Sequence, residues 1–216
     1  MFTFNFAGHD TTAHTFTFAL YFMAASPTVQ DWISEEIRHV MGDREPHEWS
    51  SSDSPRLKRY LAVMYETLRL YTPVPTSKFV DGQTPQPLTY WGDDSLEWRP
   101  SRFIKSSTSA DAKTAGATSD DEEFITLTWN TFLSWSVGAR NCVGRKFSQV
   151  EFVAIMATLF RGWRVSPVLA GGGETSEAAR KGVLNQIETD SAPVLFLQML
   201  HPDRCPFSLE LEVAGK

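Results

Sequence analysis

Residues 134–147 read SWSVGARNCVGRKF and set Cys142, one of only two cysteines in the chain, between Gly138 and Gly144. Glycines at these positions let the backbone turn sharply and approach a flat partner closely. The apolar, helix-like pattern that follows predicts a helix N-terminus at Cys142, where the helix dipole favours a thiolate. A sulfur ligand to haem iron requires such conditions. Three basic residues add positive charge nearby: Arg140, Arg145 and Lys146.

Two other interpretations of this loop stay open on its residues alone. A small buried cysteine in a glycine-containing loop needs no ligand at all. A cysteine nucleophile is the second alternative, although no obvious histidine and asparagine partners accompany it. The loop by itself therefore does not decide between an iron ligand, a structural cysteine and a nucleophile.

Composition limits the class of protein. The 216 residues are 42% hydrophobic and 21% charged, which is ordinary for a globular domain that buries a core. The net charge of −6 gives no reason to expect a nucleic acid partner. Two cysteines cannot form a disulfide framework, which favours an intracellular protein. The first residues, MFTFNFAGHDTT, lack the basic region and the cleavage site of a signal peptide.

Apolar periodicity and capping residues predict four helices, at residues 1–25, 27–40, 56–71 and 143–160. The first is apolar on most sides, so we expect it to be buried, and the polar residues within it argue against a membrane span. The second has Ser26 as its N-cap and Pro27 at its first position, and Gly42 ends it. The fourth carries one apolar stripe: Val143, Phe147, Val150 and Ala154.

The remaining segments predict little regular structure. Residues 105–123 are small and polar, which predicts a flexible surface insertion. Short strands are expected in WRVSPVL (163–169), PVLFLQML (193–200) and FSLELEV (207–213). The fold class predicted from these patterns is mainly α with small β elements.

The cysteine loop resembles a known signature. WSVGARNCVG is similar to the haem-binding pattern F-x-x-G-x-R-x-C-x-G of the cytochrome P450 family, with Trp135 in place of the phenylalanine. Four residues match the pattern itself: Gly138, Arg140, Cys142 and Gly144. The resemblance implies that Cys142 is the axial ligand of the iron of heme b and that Arg140 pairs with a haem propionate.

The stretch ETLR in the third predicted helix sets Glu66 and Arg69 three residues apart, on one helix face. Such a pair is usually a solvated surface contact, but its apolar flanks argue here for burial. The same family has an E-x-x-R motif in one helix, joined by an arginine from a P-x-R-F segment. RPSRF supplies that arginine here, so Glu66, Arg69 and Arg102 resemble the structural triad of the family.

The stretch AGHDTT lies inside the first predicted helix. Ala7 and Gly8 leave room on the helix surface, and the Thr11 hydroxyl group can donate to the Ala7 carbonyl oxygen and bend the helix. Asp10 would be costly in an apolar helix without a purpose. AGHDTT also resembles a motif of the same family. The resemblance implies that this segment crosses the haem face and that Ala7 and Gly8 contact the cofactor. It also implies that Asp10 and Thr11 are the acid–alcohol pair that supplies protons during oxygen activation.

The resemblance implies that residues 1–216 form a single, partial domain, the C-terminal portion of the cytochrome P450 fold. It implies a haem-thiolate monooxygenase that inserts one oxygen atom of O2 into a small organic substrate, with electrons from an NADPH-dependent reductase. The wording around the cysteine is most similar to fungal members, many of which serve secondary metabolism. The alternative is a truncated, non-catalytic remnant that does not retain haem.

Two departures from the family pattern accompany the match. The segment at Tyr90–Trp91 is shorter than usual, and Ser101 stands where the family usually has an acid. Full-length members of the family are anchored in the endoplasmic reticulum membrane, and we expect this chain to carry no anchor.

Overall fold

The computed structural model describes residues 2–74, 90–106, 119–125, 127 and 131–212. Within these residues the chain forms five α-helices and six short strands, so the predicted class, mainly α with small sheets, is confirmed. The helices are α1 (Phe2–Ala25), α2 (Pro27–Met41), α3 (Lys58–Leu70), α4 (Arg145–Phe160) and α5 (Ser176–Thr189). The strands are β1 (Ile104–Ser106), β2 (Glu122–Phe124), β3 (Trp163–Pro167), β4 (Ser191–Pro193), β5 (Leu197–Met199) and β6 (Phe207–Leu211).

The ends of α2 follow the predicted signals with one exception. Pro27 opens the helix, and Gly42 follows its last residue with a φ of 56°, a conformation that glycine adopts without strain. The Gly42 N–H donates to the carbonyl oxygen of Arg38 at 2.9 Å. The side chain of Ser26, however, makes no capping hydrogen bond, so its backbone alone marks the boundary.

Helix α1 is continuous, and among its described side chains, from residue 7 onward, burial begins at Thr15. From Thr15 onward it packs against α3, α5 and β3, whereas Ala7, Gly8, His9 and Ala13 are exposed. The expectation of burial on most sides is therefore wrong for the described residues of the first half, because the packing partners reach only the second half. None of the described helices combines the length and the apolar character that a bilayer crossing requires.

Helix α4 differs from its prediction in start and in orientation. It begins at Arg145 rather than at Val143, because Gly144 serves as its N-cap. The predicted apolar stripe does not face the core: Val143 is 82% exposed and Phe147 71% exposed. The buried face is the neighbouring one: Phe152, Val153, Met156, Ala157 and Phe160.

Among the described residues, three apolar clusters hold the elements together. The largest joins α1, α2, α3, α4 and β3 around residues such as Met23, Ile37, Met64 and Phe160. A second lies on the other side of α1, where Phe18, Tyr21 and Phe22 contact α5 and β5. The third is built from Ala62, Tyr65 and Phe103 and lies beside the cysteine loop, with Phe132 and Trp135 packed against it.

The last fifty residues form two antiparallel strand pairs and one helix that the sequence analysis missed. β3 pairs with β6, with Val165 opposite Leu209, as their patterns predicted. PVLFLQML is not one strand, because Val194–Phe196 form the turn between β4 and β5. Helix α5 had two signals that were overlooked. Thr175 accepts a hydrogen bond from the Ala178 N–H, and three buried residues recur every four positions: Ala179, Val183 and Ile187.

The predicted insertion at 105–123 is ordered at both ends. β1 and β2 pair in antiparallel fashion, with Lys105 opposite Glu123. Helix α3 anchors this ribbon, because Lys58 Nζ donates to the Glu122 carbonyl oxygen and Arg59 binds the Glu122 carboxylate. Residues 107–118 lie outside the described residues.

Candidate functional site

The cysteine loop makes a tight turn that leaves the Cys142 side chain exposed. Ser136 and Gly138 both have a positive φ, of 61° and 77°, a region that only glycine enters freely. The Cys142 N–H then donates to the Trp135 carbonyl oxygen at 2.8 Å, which closes the loop on itself. Cys142 is exposed and precedes the N-cap Gly144 by two residues, so its thiol lies in front of α4 rather than within its first turn.

The surroundings of Cys142 fit a ligand that brings its own metal. A Cβ atom at Gly144 would lie 3.8 Å from Cys142 Sγ, so glycine keeps the space beside the sulfur open. Val143 and Phe147, which follow Cys142 closely in the chain, have exposed apolar side chains. Among the described residues no three His, Cys, Asp or Glu side chains cluster as a metal site. A single exposed thiol fits a macrocycle that supplies the other ligands of its metal, as haem does.

Trp135, predicted at the aromatic position of the signature, is fixed on several sides. Its indole N–H donates to Ser148 Oγ at 3.3 Å, and the Arg145 guanidinium lies 5.4 Å from its ring centroid. The Tyr65 ring lies 5.1 Å away on the α3 side. The side chain of Arg140 lies outside the described residues, so its pairing with a propionate stays a prediction.

The structure brings Glu66, Arg69 and Arg102 together as predicted. Arg69 donates from Nε to Glu66 Oε2 at 2.7 Å and from Nη2 to Oε1 at 3.0 Å. Arg102 donates from Nε to Glu66 Oε1 at 2.8 Å, and the backbone N–H of Arg99 reaches the same oxygen at 2.7 Å. Because Glu66 belongs to α3 and Arg102 to the turn before β1, the cluster fastens these two segments to each other.

Burial makes this cluster a strong junction. Glu66 has no exposed surface, and both guanidinium side chains are buried as well. Asp94 Oδ1 lies 3.5 Å from Arg102 Nη1, so two carboxylates face two guanidinium groups. Trp91, which the sequence analysis did not assign, covers the pair, with its ring centroid 5.1 Å from the Arg69 guanidinium carbon. Its only signal was its place within ten residues of RPSRF.

The candidate residues of α1 lie on its exposed half. Thr11 Oγ1 donates to the Ala7 carbonyl oxygen at 2.6 Å, which is the back-bond that the sequence predicted. Asp10 is half exposed, and its Oδ1 lies 3.0 Å from His9 Nδ1. Gly8 is open, because a Cβ atom there would meet nothing within 4 Å. Ala7 is exposed on the same segment.

Among the described residues, one aromatic contact joins α1 to α4, the helix that follows Cys142. Phe16 of α1 stacks on Phe152 of α4 with ring centroids 4.7 Å apart. Asp10 and Thr11 precede this contact on α1, and Cys142 precedes it on the segment that leads into α4. Within the described part of the chain, no hydrogen bond joins either α1 residue to Cys142.

Comparison with known proteins finds similarity to cytochromes P450. The family model for cytochrome P450 matches residues 1–79. Cytochrome P450 4F11 of Homo sapiens is 29% identical over 187 residues, covering 76% of this chain and 32% of that protein. Cytochrome P450 4B1 of Rattus norvegicus is 31% identical over 165 residues, covering 72% and 31%. Cytochrome P450 4d8 of Drosophila melanogaster is 30% identical over 193 residues, covering 77% and 37%.

These relatives correct one expectation and define the extent of the match. They are animal proteins, so the expected similarity to fungal members is not supported. The chain spans about a third of their length. A solved structure titled as a cytochrome P450 (CYP102L1) has a TM-score of 0.65 and 20% identity, covering 98% of this chain and 44% of that one, which supports the fold. The predicted resemblance to the cytochrome P450 family is thereby confirmed: the family model matches residues 1–79, and the curated relatives are cytochromes P450.

Proposed function

We propose that this chain provides the part of a haem-thiolate monooxygenase that supplies the thiolate ligand and activates oxygen. Such an enzyme inserts one oxygen atom of O2 into a small organic substrate and receives electrons from an NADPH-dependent reductase. The observation that carries the proposal is the exposed Cys142 thiol in a loop shaped by Gly138 and Gly144. The sequence relatives support the same class of enzyme.

Cys142 is the residue that would hold the iron of heme b. When bound, the haem would supply the one-electron and dioxygen chemistry, which a thiolate ligand would tune. The protein's task at this site is to keep the sulfur in one place, which the hydrogen bond from the Cys142 N–H to the Trp135 carbonyl oxygen does. Arg140, one residue before Asn141 in the same loop, would neutralise a propionate.

Asp10 and Thr11 would handle protons. The Thr11 hydroxyl proton is committed to the Ala7 carbonyl oxygen, so Thr11 must break this hydrogen bond, by rotation of its hydroxyl group or of its side chain, before it can donate elsewhere. Rotations of this kind take picoseconds to nanoseconds at exposed positions, so they do not limit turnover. Asp10, half exposed beside His9, can exchange its proton with solvent and pass it along the helix surface.

The first experiment asks whether Cys142 ligates iron. Haem is titrated into the protein, and the spectrum of the reduced carbon monoxide complex is recorded. The parent should show the Soret shift of thiolate ligation, and Cys142→Ala should abolish it. Cys205→Ala, which removes the second cysteine, should leave it unchanged. A Cys142→Ala protein with the parent spectrum would refute the assignment.

The alternative, a remnant that retains no haem, is not favoured by these relatives. The same titration separates the two, because a remnant would take up no haem in the parent protein. A role in fungal secondary metabolism stays a prediction without support among the animal relatives named above.

A further inference from the structure

Tyr65, the residue before Glu66, joins α3 to the start of α4, the helix that follows Cys142. Its side chain is buried, and its hydroxyl oxygen accepts from Arg145 Nη2 at 3.2 Å and from Gln149 Nε2 at 2.9 Å. Arg145 and Gln149 are four residues apart and therefore share one face of α4. One phenol oxygen thus fixes the first turn of α4, although it is 84 residues from Gln149 in the chain.

The ring of Tyr65 packs against the start of the cysteine loop, where Trp135 lies. It lies 5.1 Å from the Trp135 ring and stacks on Phe132 at 4.8 Å, with Phe103 and Phe124 against its edges. Aromatic pairs at these distances stabilise beyond their buried area. The Tyr65 ring and the Arg145 guanidinium therefore both contact Trp135, and both limit its movement.

Both contacts converge on Cys142. Trp135 accepts the Cys142 N–H hydrogen bond, and Arg145 follows Cys142 by three residues. We propose that Tyr65 is a positioning residue for Cys142: its ring holds the start of the cysteine loop, its hydroxyl group holds the end, and together they set where the sulfur stands. This inference rests on the proposed function for the role of the sulfur as the iron ligand, but not for the loop geometry.

A comparison within α3 shows that the Tyr65 hydroxyl group is more than a filler of the core. Tyr60, on the same helix, is fully buried, yet its hydroxyl group makes no hydrogen bond within the described part of the chain. Phenylalanine would therefore serve equally well at position 60. At position 65 the hydroxyl group has two donors, and both come from the helix that follows Cys142.

The test compares three substitutions of tyrosine by phenylalanine in the haem-free chain. Tyr65→Phe keeps the ring and removes the acceptor of two hydrogen bonds, so amide hydrogen exchange in the peptide 135–149 should rise about tenfold or more. Alkylation of Cys142 should accelerate as well, with Cys205 in the same chain as the internal reference. Tyr60→Phe, which loses no hydrogen bond, should match the parent in both measurements.

The second control separates positioning from general destabilisation. Tyr21 donates its hydroxyl proton to the Pro202 carbonyl oxygen at 2.7 Å, in the apolar cluster between α1 and α5. Tyr21→Phe should lower the stability of the protein but leave exchange in 135–149 at the parent rate. Parent-level exchange in Tyr65→Phe would overturn the proposal, and so would an equal acceleration in Tyr21→Phe.

A spectroscopic arm links the loop to the ligand. In haem-loaded protein, Tyr65→Phe should convert part of the thiolate-type carbon monoxide spectrum into the form without thiolate, while Tyr60→Phe keeps the parent spectrum. An unchanged thiolate fraction in Tyr65→Phe would contradict the positioning role. If the parent itself shows no thiolate spectrum, the proposed function fails, and the exchange measurements still decide whether Tyr65 positions the loop.

Discussion

Single residues in this protein are held by partners from distant parts of the chain. The Glu66 carboxylate accepts from two arginine side chains and one backbone N–H, and it has no contact with solvent. A charge in such a place is stable only while its partners remain, because the desolvation cost of the carboxylate is not recovered otherwise. The cost of removing one partner is therefore much larger than the net contribution of the pair.

Arg69→Ala leaves Glu66 buried with part of its hydrogen bonds lost. We expect the free energy of unfolding to fall by about 3–5 kcal/mol, measured by urea denaturation. Lys181 provides the control, because it pairs with Glu177 at 3.3 Å with both side chains largely exposed. Lys181→Ala should cost no more than about 0.5 kcal/mol. An Arg69→Ala protein as stable as Lys181→Ala would show that the Glu66 cluster is only a surface contact.

At the scale of elements, a buried amide connects α1, α2 and β3. Gln30 of α2 donates to the carbonyl oxygens of Met23 at 2.7 Å and Val165 at 2.8 Å, and it accepts the Val165 N–H at 3.0 Å. Val165 is buried in β3, opposite Leu209 of β6. The end of α1 and the first strand of the β3–β6 pair are therefore fixed relative to α2 by one side chain.

Gln30→Leu fills the same volume but removes the hydrogen bonds to three backbone groups, of which only the Met23 carbonyl oxygen keeps a second donor, the Ser26 N–H at 3.0 Å. Each unsatisfied buried group costs about 1–3 kcal/mol, so the two groups of Val165 predict a loss of about 2 kcal/mol or more in urea denaturation. Gln186 of α5 is the matched control, since its amide lies 3.5 Å from the His201 carbonyl oxygen near the surface. Gln186→Leu should change stability by less than about 0.5 kcal/mol. Equal losses in the two variants would exclude a special role for Gln30.

The sequence predicted elements better than their orientation. Capping signals defined α2 and α3 to within a few residues, because proline and glycine act locally. The buried face of α4 was predicted wrongly, since Val143 and Phe147 are as apolar as Phe152 and Met156, and only the positions of α1, α2, α3 and β3 decide which side is covered. Helix α5 was missed because its apolar residues are few, although the spacing of Ala179, Val183 and Ile187 predicts a helix.

The same limit applies to the candidate site. Glu66, Arg69 and Arg102 could be predicted, because their spacing lies within two short motifs. Tyr65 and Trp91 could not be predicted, because their partners lie in other segments of the chain. No local pattern distinguishes a tyrosine whose hydroxyl oxygen accepts two hydrogen bonds from one whose hydroxyl oxygen accepts none. Asp10 and Thr11 were assigned by resemblance, and their roles stay predictions.

At the scale of the whole molecule, one buried carboxyl group makes stability depend on pH. Glu36 has no exposed surface and accepts the Arg59 N–H at 3.0 Å on each oxygen. Burial raises its pKa from 4.5 to about 7, although these hydrogen bonds oppose the shift. Between these two values the folded state binds more protons than the unfolded state. Stability from this group is therefore fully present below pH 4.5 and is lost as the pH rises through about 7.

Glu36→Gln should remove this dependence. The stability of the variant relative to the parent should rise by roughly 3 kcal/mol from the acidic to the neutral end of the interval, measured by denaturation at several pH values. Glu35, the preceding residue on α2, has an exposed side chain and serves as the control. Glu35→Gln should keep the slope of the parent. If Glu36→Gln kept it too, another group would be responsible.

The buried Glu66 cluster also has a thermal consequence for the molecule. The hydration of charged groups becomes less favourable as temperature rises, so the cost of holding these charges away from water decreases on heating. Hydrophobic stabilisation per unit of buried area levels off over the same range. The junction between α3 and the Asp94–Arg102 segment should therefore strengthen relative to the apolar contact of α1 with α5. Heat should separate α5 from the molecule before it separates the Asp94–Arg102 segment from α3, the helix whose Tyr65 contacts the cysteine loop.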